Sequence, residues 1–198
     1  FAGGIPDPAL FPKEDFAKAF SDLLTGPQGA QALQYSVSEG FLPLRQWLVS
    51  RMRAIGIECE TDNILITSGS QQALDYLGKL FISPGDTVLV GWPTYMGALG
   101  AFNAYEPSYD RLDPAGNRSV EDYRAAAAEA QGEVKFAYTS SDFANPTGVT
   151  LDERARSGLL DLADKLDVPV VEDAAYQGLR YDGDEVPPIL ALDIQRSG

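Results

Sequence analysis

Three polar side chains in the second half of the chain could act together on a small ligand. Asn145 lies in a loop after the apolar segment Val134–Thr139, and Asp173 and Tyr176 lie at the end of the next apolar segment, residues 168–173. An amide and a phenol can each donate and accept hydrogen bonds, and a carboxylate stabilises a neighbouring positive charge. These side chains could therefore carry the chemistry of a ligand site.

The surrounding elements predict that all three residues lie at one edge of a sheet. The pattern is a strand at Val134–Thr139, a helix from about 151 to 166, and a second strand at 168–173. Such a unit joins parallel strands through a right-handed crossover, and ligands bind beyond the carboxyl ends of such strands. Two alternatives stay open, since Asn145 could simply shape the turn before Pro146 and Asp173 could cap a helix.

A second group of small polar residues predicts an anion site. Ser68, Gly69, Ser70 and Gln71 lie between a short predicted strand, residues 63–67, and a following helix. The start of a helix offers unpaired backbone N–H groups, and a glycine lets a ligand approach closely. The alternative is an ordinary N-cap formed by Ser68 or Ser70.

An aromatic residue, Tyr95, follows another predicted strand, residues 87–90. Its ring could cover a planar ligand or pack in the core. Further helices are predicted at 14–24, 40–55, 96–104 and 119–131, a strand near 105–109, and a turn-rich tail from residue 180. Alternating strands and helices imply an α/β fold of three layers with a mostly parallel sheet. Neither a Gly-x-Gly-x-x-Gly fingerprint nor a Gly-Lys-Ser/Thr phosphate loop is present.

The composition argues against several classes of protein. The 198 residues carry a formal charge of −14 with scattered Lys and Arg, which argues against nucleic-acid binding. No apolar run reaches the roughly 20 residues that span a bilayer, which argues against a membrane protein. The absence of His excludes a Ser-His-Asp hydrolase and argues against a catalytic zinc site. The single Cys59 favours a reducing, cytoplasmic compartment.

Four motifs, in this order along the chain, resemble those of the fold-type I pyridoxal-phosphate aminotransferases of class I/II. The first twelve residues are similar to the 2-aminoadipate-like subgroup, and Tyr35, Gly40 and Leu44-Arg45 also fit the family pattern. The resemblance implies the large domain of the aspartate-aminotransferase type, incomplete at its C-terminus. The four motifs are Ser68-Gly69-Ser70-Gln71, Pro93-Thr94-Tyr95, Asn145-Pro146-Thr147-Gly148 and Asp173-Ala174-Ala175-Tyr176.

Each motif receives a role from this resemblance. Asp173 would pair with the protonated pyridine nitrogen of pyridoxal 5'-phosphate, and a neighbouring carboxylate would keep that nitrogen charged. Asn145 and Tyr176 would bind the phenolic oxygen of the ring. The remaining implied contacts are Tyr95 stacked on the ring, Gly69, Ser70 and Gln71 at the phosphate, Tyr35 at the phosphate of a neighbouring subunit in a homodimer, and Gly3 and Gly4 near the substrate carboxylate.

The chain departs from the family pattern at the catalytic lysine. The family carries its Schiff-base lysine in a Ser-x-Ser-Lys-like segment downstream of the motif that holds Tyr176, and this chain ends at Gly198 before such a segment. We expect the lysine beyond Gly198. We also expect residues 1–36 to form an N-terminal segment on the substrate and dimer side, and residues 37–198 to form a partial cofactor-binding domain that is inactive alone. The lysines present, none of which suits the role, are Lys13, Lys18, Lys79, Lys135 and Lys165.

The predicted function is transfer of an amino group between an amino acid and a 2-oxo acid, with pyridoxal phosphate as cofactor. The same fold and site residues also occur in carbon–sulfur lyases and decarboxylases, which remain an alternative. A further alternative is the aminotransferase-like sensing domain of a transcription regulator, which would carry a basic DNA-binding domain upstream of Phe1. Composition does not distinguish among amino-acid substrates.

Overall fold

A computed structural model describes residues 4–113 and 116–197, and the chain divides into two compact units, Phe1–Phe41 and Leu42–Gly198. In the first unit, helix α1 (Lys13–Thr25) confirms the predicted helix at 14–24 and is followed by the single turn α2 (Gly29–Ala32). Glu14 and Asp15 lie in the first turn of α1, where negative charge suits the helix dipole. No residue of α1 is buried.

The second unit is built on a parallel sheet of four strands in the order β2-β1-β3-β4. The strands are β1 (Thr87–Gly91), β2 (Ser108–Leu112), β3 (Val134–Thr139) and β4 (Val170–Glu172). Three of them confirm predicted segments, and β2 begins three residues later than expected. The prediction of a strand at 63–67 was wrong, because Asn63 ends a 3-10 helical turn and residues 64–67 pair with none of the described strands.

Six helices of the second unit are described, and most begin near the predicted residue. The tail from residue 180 was expected to be turn-rich, which was wrong for its last part, because a helix begins directly after Pro187-Pro188. Two prolines indicate a turn, but proline is also well tolerated where a helix starts. The helices are α3 (Leu42–Ala54), α4 (Ser70–Phe81), α5 (Met96–Phe102), α6 (Val120–Glu129), α7 (Glu153–Leu166) and α8 (Ile189–Ser197).

Both faces of the sheet are buried, which explains the continuous apolar runs of its central strands. Val88 and Val90 of β1 pack with residues of α4 and α5, whereas Leu89 packs with residues of α6, α7 and α8. Alternate residues of a strand face opposite sides, so each central strand supplies both cores. Burying one such side chain fully is worth about 1.5–3 kcal/mol. The result is the predicted three-layer α/β fold. Within the described residues, no helix has the length and apolarity to cross a membrane.

Candidate functional site

Asp173 lies where β3 and β4 end side by side. Its backbone N–H donates to the carbonyl of Thr139 at 2.8 Å, and Ser140 Oγ donates to its backbone carbonyl at 3.3 Å. One carboxylate oxygen, Oδ2, accepts from the phenol of Tyr138 at 2.7 Å, and the other accepts from the N–H of Ala175 at 3.3 Å. Both donors are neutral. Across the described residues this partly buried carboxylate forms no ion pair.

Tyr138 supports Asp173 from the core, and sequence reasoning did not identify it. Its side chain is fully buried, and burial is the main cause that raises the pKa of the phenol well above its usual value. The hydrogen bond to Asp173 and the charge of Asp173 raise this pKa further. Tyr95 and Tyr176 also raise this pKa, which indicates that both phenols approach the same point. Tyr138 therefore stays a protonated donor. The signal in the sequence was a phenol at the carboxyl end of a buried strand, where its hydroxyl needs a partner.

The ring of Tyr95 folds over the first turn of α5. Tyr95 is the N-cap residue of this helix, and its partly buried ring contacts the apolar cluster formed with α4 and β3. A Cβ added to Gly97 would overlap with the Tyr95 ring atoms. Because only glycine leaves room for the ring, the pair Tyr95 and Gly97 fixes the position of this aromatic surface.

The start of α4 is open, as the anion-site prediction requires. Gly69 is the N-cap residue with φ 81° and ψ 164°, and space is open around the position of its missing Cβ. Ser70 and Gln71 are exposed, and the backbone N–H groups of a first helical turn have no partner within the helix. The alternative of a side-chain cap by Ser68 or Ser70 was wrong, because the N-cap residue is Gly69, which has no side chain to cap the helix. Thr67 Oγ1 instead donates to the carbonyl of Gly69 at 3.0 Å.

Two contacts join α4 to α5 and to the short turn that follows α5. The side-chain amide of Gln71 donates to the carbonyl of Gly97 at 2.9 Å. Further along α4, the phenol of Tyr105 donates to Asp75 Oδ1 at 2.8 Å, and its ring lies against Gly78. The Gln71 side chain is therefore used between the two helices, which leaves its backbone N–H for an anion.

Asn145 lies at the exposed tip of the loop between β3 and α7. Backbone hydrogen bonds close this loop, from Ala144 N to the carbonyl of Val149 at 2.9 Å and from Leu151 N to that of Ser141 at 2.9 Å. Within the described part of the chain, the side-chain amide of Asn145 forms no hydrogen bond, so it does not itself shape the turn. Tyr176 follows β4 and is 38% exposed.

A buried cluster of two guanidinium groups and two carboxylates contacts the base of this loop. The fully buried Arg156, on α7, lies 3.0 Å from Asp142 Oδ2 through Nη2 and 3.6 Å from Glu172 Oε1 through Nη1. Arg180 Nη2 donates to the other oxygen of Asp142 at 2.9 Å. The charges of this cluster balance, as burial of ions requires. Sequence reasoning missed it, because a charged residue on an amphipathic helix is usually exposed.

Arg156 also holds three backbone carbonyls. Its Nε donates to Leu151 at 3.0 Å, Nη1 to Pro187 at 3.1 Å and Nη2 to Ser141 at 3.2 Å. Glu172 in turn accepts from the N–H of Ile189 at 2.9 Å. One side chain therefore fastens both ends of the loop that carries Asn145, together with the segment that leads into α8.

The remaining predicted site residues belong to the first unit. Tyr35 is 99% exposed, Gly4 is exposed with open space around it, and Gly3 lies outside the described residues. In the second unit, a cleft of about 680 Å³ is lined by residues 117–121 and by α7. None of the predicted site residues lines that cleft, so we place the candidate site at the ends of β3 and β4, where Asp173 lies.

The chain matches the family described as aminotransferase class I and II over residues 6–196. It belongs to that family. It is 43% identical to aromatic-amino-acid aminotransferase 1 of Thermococcus litoralis, an alignment that covers 97% of this chain and 47% of that relative. It is 39% identical to 2-aminoadipate transaminase of Thermus thermophilus, again over 97% of this chain and 47% of the relative.

Solved structures of aminotransferases share the fold. A kynurenine aminotransferase of Pyrococcus horikoshii, 42% identical, superposes with a TM-score of 0.84 over 96% of this chain and 48% of that chain. The chain thus spans about half the length of the relatives that it matches. All three of these proteins are named for aminotransferase activity, which does not favour the alternative of a regulator domain.

Proposed function

We propose that the second unit of this aminotransferase binds pyridoxal 5'-phosphate and serves amino-group transfer between an amino acid and a 2-oxo acid. The observation that carries the proposal is the carboxylate of Asp173, which has two neutral donors and no cationic partner among the described residues. A protonated pyridine nitrogen would supply the missing cation and a third donor. Carboxylate oxygens accept about two hydrogen bonds each, so capacity remains for it.

The phosphate would be held at the start of α4. Gly69 adopts a backbone conformation that favours glycine, and open space adjoins it. The first-turn N–H groups of Ser70 and Gln71 and the positive end of the helix dipole suit a phosphate group. This local arrangement matters because the chain as a whole is strongly acidic.

The aromatic ring of the cofactor would lie between these two ends. Tyr95 would cover one face of it, and the amide of Asn145 and the phenol of Tyr176 would bind its phenolic oxygen. The exposed, uncommitted amide of Asn145 and the approach of Tyr95 and Tyr176 to Tyr138 support these roles. When bound, the cofactor would supply the electron-withdrawing ring that stabilises a carbanion on the substrate.

We assign cofactor binding, and not proton transfer by a lysine, to the described part of the second unit. Lys79 and Lys165 lie in the last turns of α4 and α7, far along each helix from the strand ends. Lys135 lies near the start of β3 and pairs with Glu133 at 3.1 Å and with Asp86 at 3.7 Å. From any of these positions, a lysine that acts on the substrate would have to reach the opposite edge of the sheet, where the strands have their carboxyl ends.

The proposal extends to the assembly and its surroundings. We propose a homodimer in which the exposed Tyr35 binds the phosphate of the neighbouring subunit, with Gly3 and Gly4 near the substrate carboxylate. The free thiol of Cys59 is consistent with a cytoplasmic location. Carbon–sulfur lyase or decarboxylase chemistry would use the same cofactor contacts, and analysis of the products, a new 2-oxo acid against ammonia or carbon dioxide, separates these reactions.

The test is the absorbance of the protein expressed from its complete reading frame. Purified without added cofactor, it should absorb between ~300 and ~500 nm, with a visible band that borohydride abolishes. Asp173→Asn should lower the affinity for pyridoxal phosphate at least tenfold, because a hydrogen bond between charged groups is worth about 1.5–3 kcal/mol. Asp184→Asn, at an exposed position, is the control. A protein that stays colourless with added pyridoxal phosphate would contradict the proposal.

A further inference from the structure

We propose that Tyr138 is a positioning residue for the cofactor: its phenol holds the Asp173 carboxylate in one orientation, so that the carboxylate faces the pyridine nitrogen and keeps it protonated. This inference rests on the proposed function, because it concerns the same carboxylate. It goes beyond it by assigning a role to a core residue that would not itself touch the cofactor.

The geometry makes Tyr138 a rigid donor. Its side chain is fully buried in β3, and its ring packs edge-on against Phe102, with centroids 5.8 Å apart and planes at 78°. The hydroxyl can therefore reach only a small region at the strand end. There it donates to Asp173 Oδ2 at 2.7 Å, a usual length for an O–H···O hydrogen bond.

The second carboxylate oxygen is held as well. Oδ1 of Asp173 accepts from the backbone N–H of Ala175 at 3.3 Å, so each oxygen has one donor from the protein. Two fixed donors restrict rotation of the carboxylate and leave the remaining lone pairs directed away from Tyr138 and Ala175. A ligand that donates to Asp173 must approach along those lone pairs.

The chemical consequence concerns the shared proton. A carboxylate that faces a pyridine nitrogen favours the protonated form of the ring, because opposite charges attract. The donors Tyr138 and Ala175 would keep the free lone pairs of Asp173 directed at that nitrogen. Without the Tyr138 donor the carboxylate can rotate, and a carboxylate that turns away favours the protonated ring less.

A purely structural role is the competing explanation. A buried phenol needs an acceptor, and Asp173 could be present only to satisfy Tyr138. The two explanations predict different results for Tyr138→Phe. A structural role would alter the free energy of unfolding alone, whereas a positioning role would also change the protonation of the bound pyridine ring.

The experiment uses the protein from the complete reading frame, loaded with pyridoxal phosphate that carries ¹⁵N in its ring. The ¹⁵N chemical shift reports protonation of the ring nitrogen, and equilibrium dialysis gives the dissociation constant. Tyr138→Phe should move the shift toward the unprotonated value and weaken binding less than Asp173→Asn does, because the Tyr138 hydrogen bond is made within the protein and not to the cofactor. Asp173→Asn should move the shift further in the same direction.

Tyr109→Phe is the matched control. This partly buried phenol in the edge strand β2 donates to Asn103 Oδ1 at 2.8 Å and does not contact Asp173. It should leave the shift and the affinity unchanged. Should Tyr138→Phe fail to fold, replacement of Tyr138 by 3,5-difluorotyrosine keeps the ring and makes the hydroxyl a stronger donor, so the shift should move toward the protonated value.

The outcomes separate the two proposals. If Asp173→Asn changes shift and affinity while Tyr138→Phe or the fluorinated residue changes neither, the role of Tyr138 is wrong and the cofactor site stands. If Asp173→Asn also changes neither, the proposed function itself is wrong.

Discussion

At the scale of single residues, the contact between Tyr95 and Gly97 shows how a helix can fix an aromatic surface. The ring occupies the volume that any side chain at position 97 would fill. Glycine usually weakens a helix, by about 0.8–1 kcal/mol relative to alanine. Gly97 therefore lowers the stability of α5, but it allows packing alone, without a hydrogen bond, to fix the position of the Tyr95 ring.

Substitution of Gly97 should therefore affect both ligand binding and folding. Gly97→Ala should displace the Tyr95 ring and weaken pyridoxal phosphate binding several-fold, and overpacking should also lower the free energy of unfolding by ~1–3 kcal/mol. Gly100→Ala is the control in the same helix, because an added Cβ there meets no atom within 4 Å. Dialysis of both variants checks this. Equal affinities would show that the Tyr95 ring is not part of the site.

Residue types at strand ends allowed much of the candidate site to be predicted. Asp173, Tyr95 and Gly69 stand directly after or before predicted elements, where a polar or glycine residue is conspicuous. Tyr138 and Arg156 were not predictable in this way. A tyrosine within an apolar strand and an arginine on an amphipathic helix both have common explanations that involve no ligand, and only three-dimensional contacts separate the two cases.

At the scale of elements, Arg156 joins parts of the chain that are distant in sequence. It contacts Asp142 at the end of β3, Glu172 in β4 and the carbonyl of Pro187 ahead of α8. Together with its bonds to the carbonyls of Ser141 and Leu151, these contacts fix both ends of the loop that carries Asn145. The cluster also fixes the end of the short strand β4, because Glu172, which pairs with Arg156, is the last residue of that strand.

Loss of this guanidinium should destabilise the second unit strongly. Arg156→Ala would leave Asp142 and Glu172 buried with too few partners, which typically costs about 3–5 kcal/mol. Arg154→Ala, at an exposed position on the same helix, should change the free energy of unfolding by less than about 0.5 kcal/mol. Urea unfolding followed by tryptophan fluorescence measures both. Similar stability of the two variants would show that the cluster contributes little.

Element prediction succeeded where pattern and packing agree. The apolar run of β3 and the helical periodicity of α7 gave their positions to within two residues. Residues 63–67 failed because β-branched residues favour an extended chain but cannot supply a neighbouring strand. The helix α8 was missed because its burial against α7, through Ile189 and Leu192, is a tertiary effect.

At the scale of the whole molecule, the burial of phenols makes the free energy of unfolding depend on pH in the alkaline range. Burial raises the pKa of Tyr123, of Tyr138 and of Tyr109, the last to about 12. A hydrogen bond to Asp75 is the first cause of the raised pKa of Tyr105. Unfolded chains release these protons near pH ~10, before the folded protein does.

The stabilisation that these phenols contribute should therefore be fully present below pH ~10 and should be lost as pH rises above it. Between the unfolded and folded pKa values the native state binds more protons, so the free energy of unfolding decreases as pH rises. Urea titrations at pH 8 and pH 11 should show the decrease, and Tyr109→Phe should make it shallower. A Tyr35→Phe variant, altered at an exposed phenol, should keep the wild-type slope; equal slopes in both variants would contradict the explanation.

The two contacts between α4 and the α5 segment give the second unit a preformed grip. Gln71 holds Gly97 at one end, and Tyr105 holds Asp75 further along. The start of α4, which we propose binds a phosphate, and the Tyr95 ring, which we propose covers a planar group, are thus held in one rigid piece. A ligand that used both would meet partners already at their final separation, and would lose little affinity to the conformational entropy of ordering them.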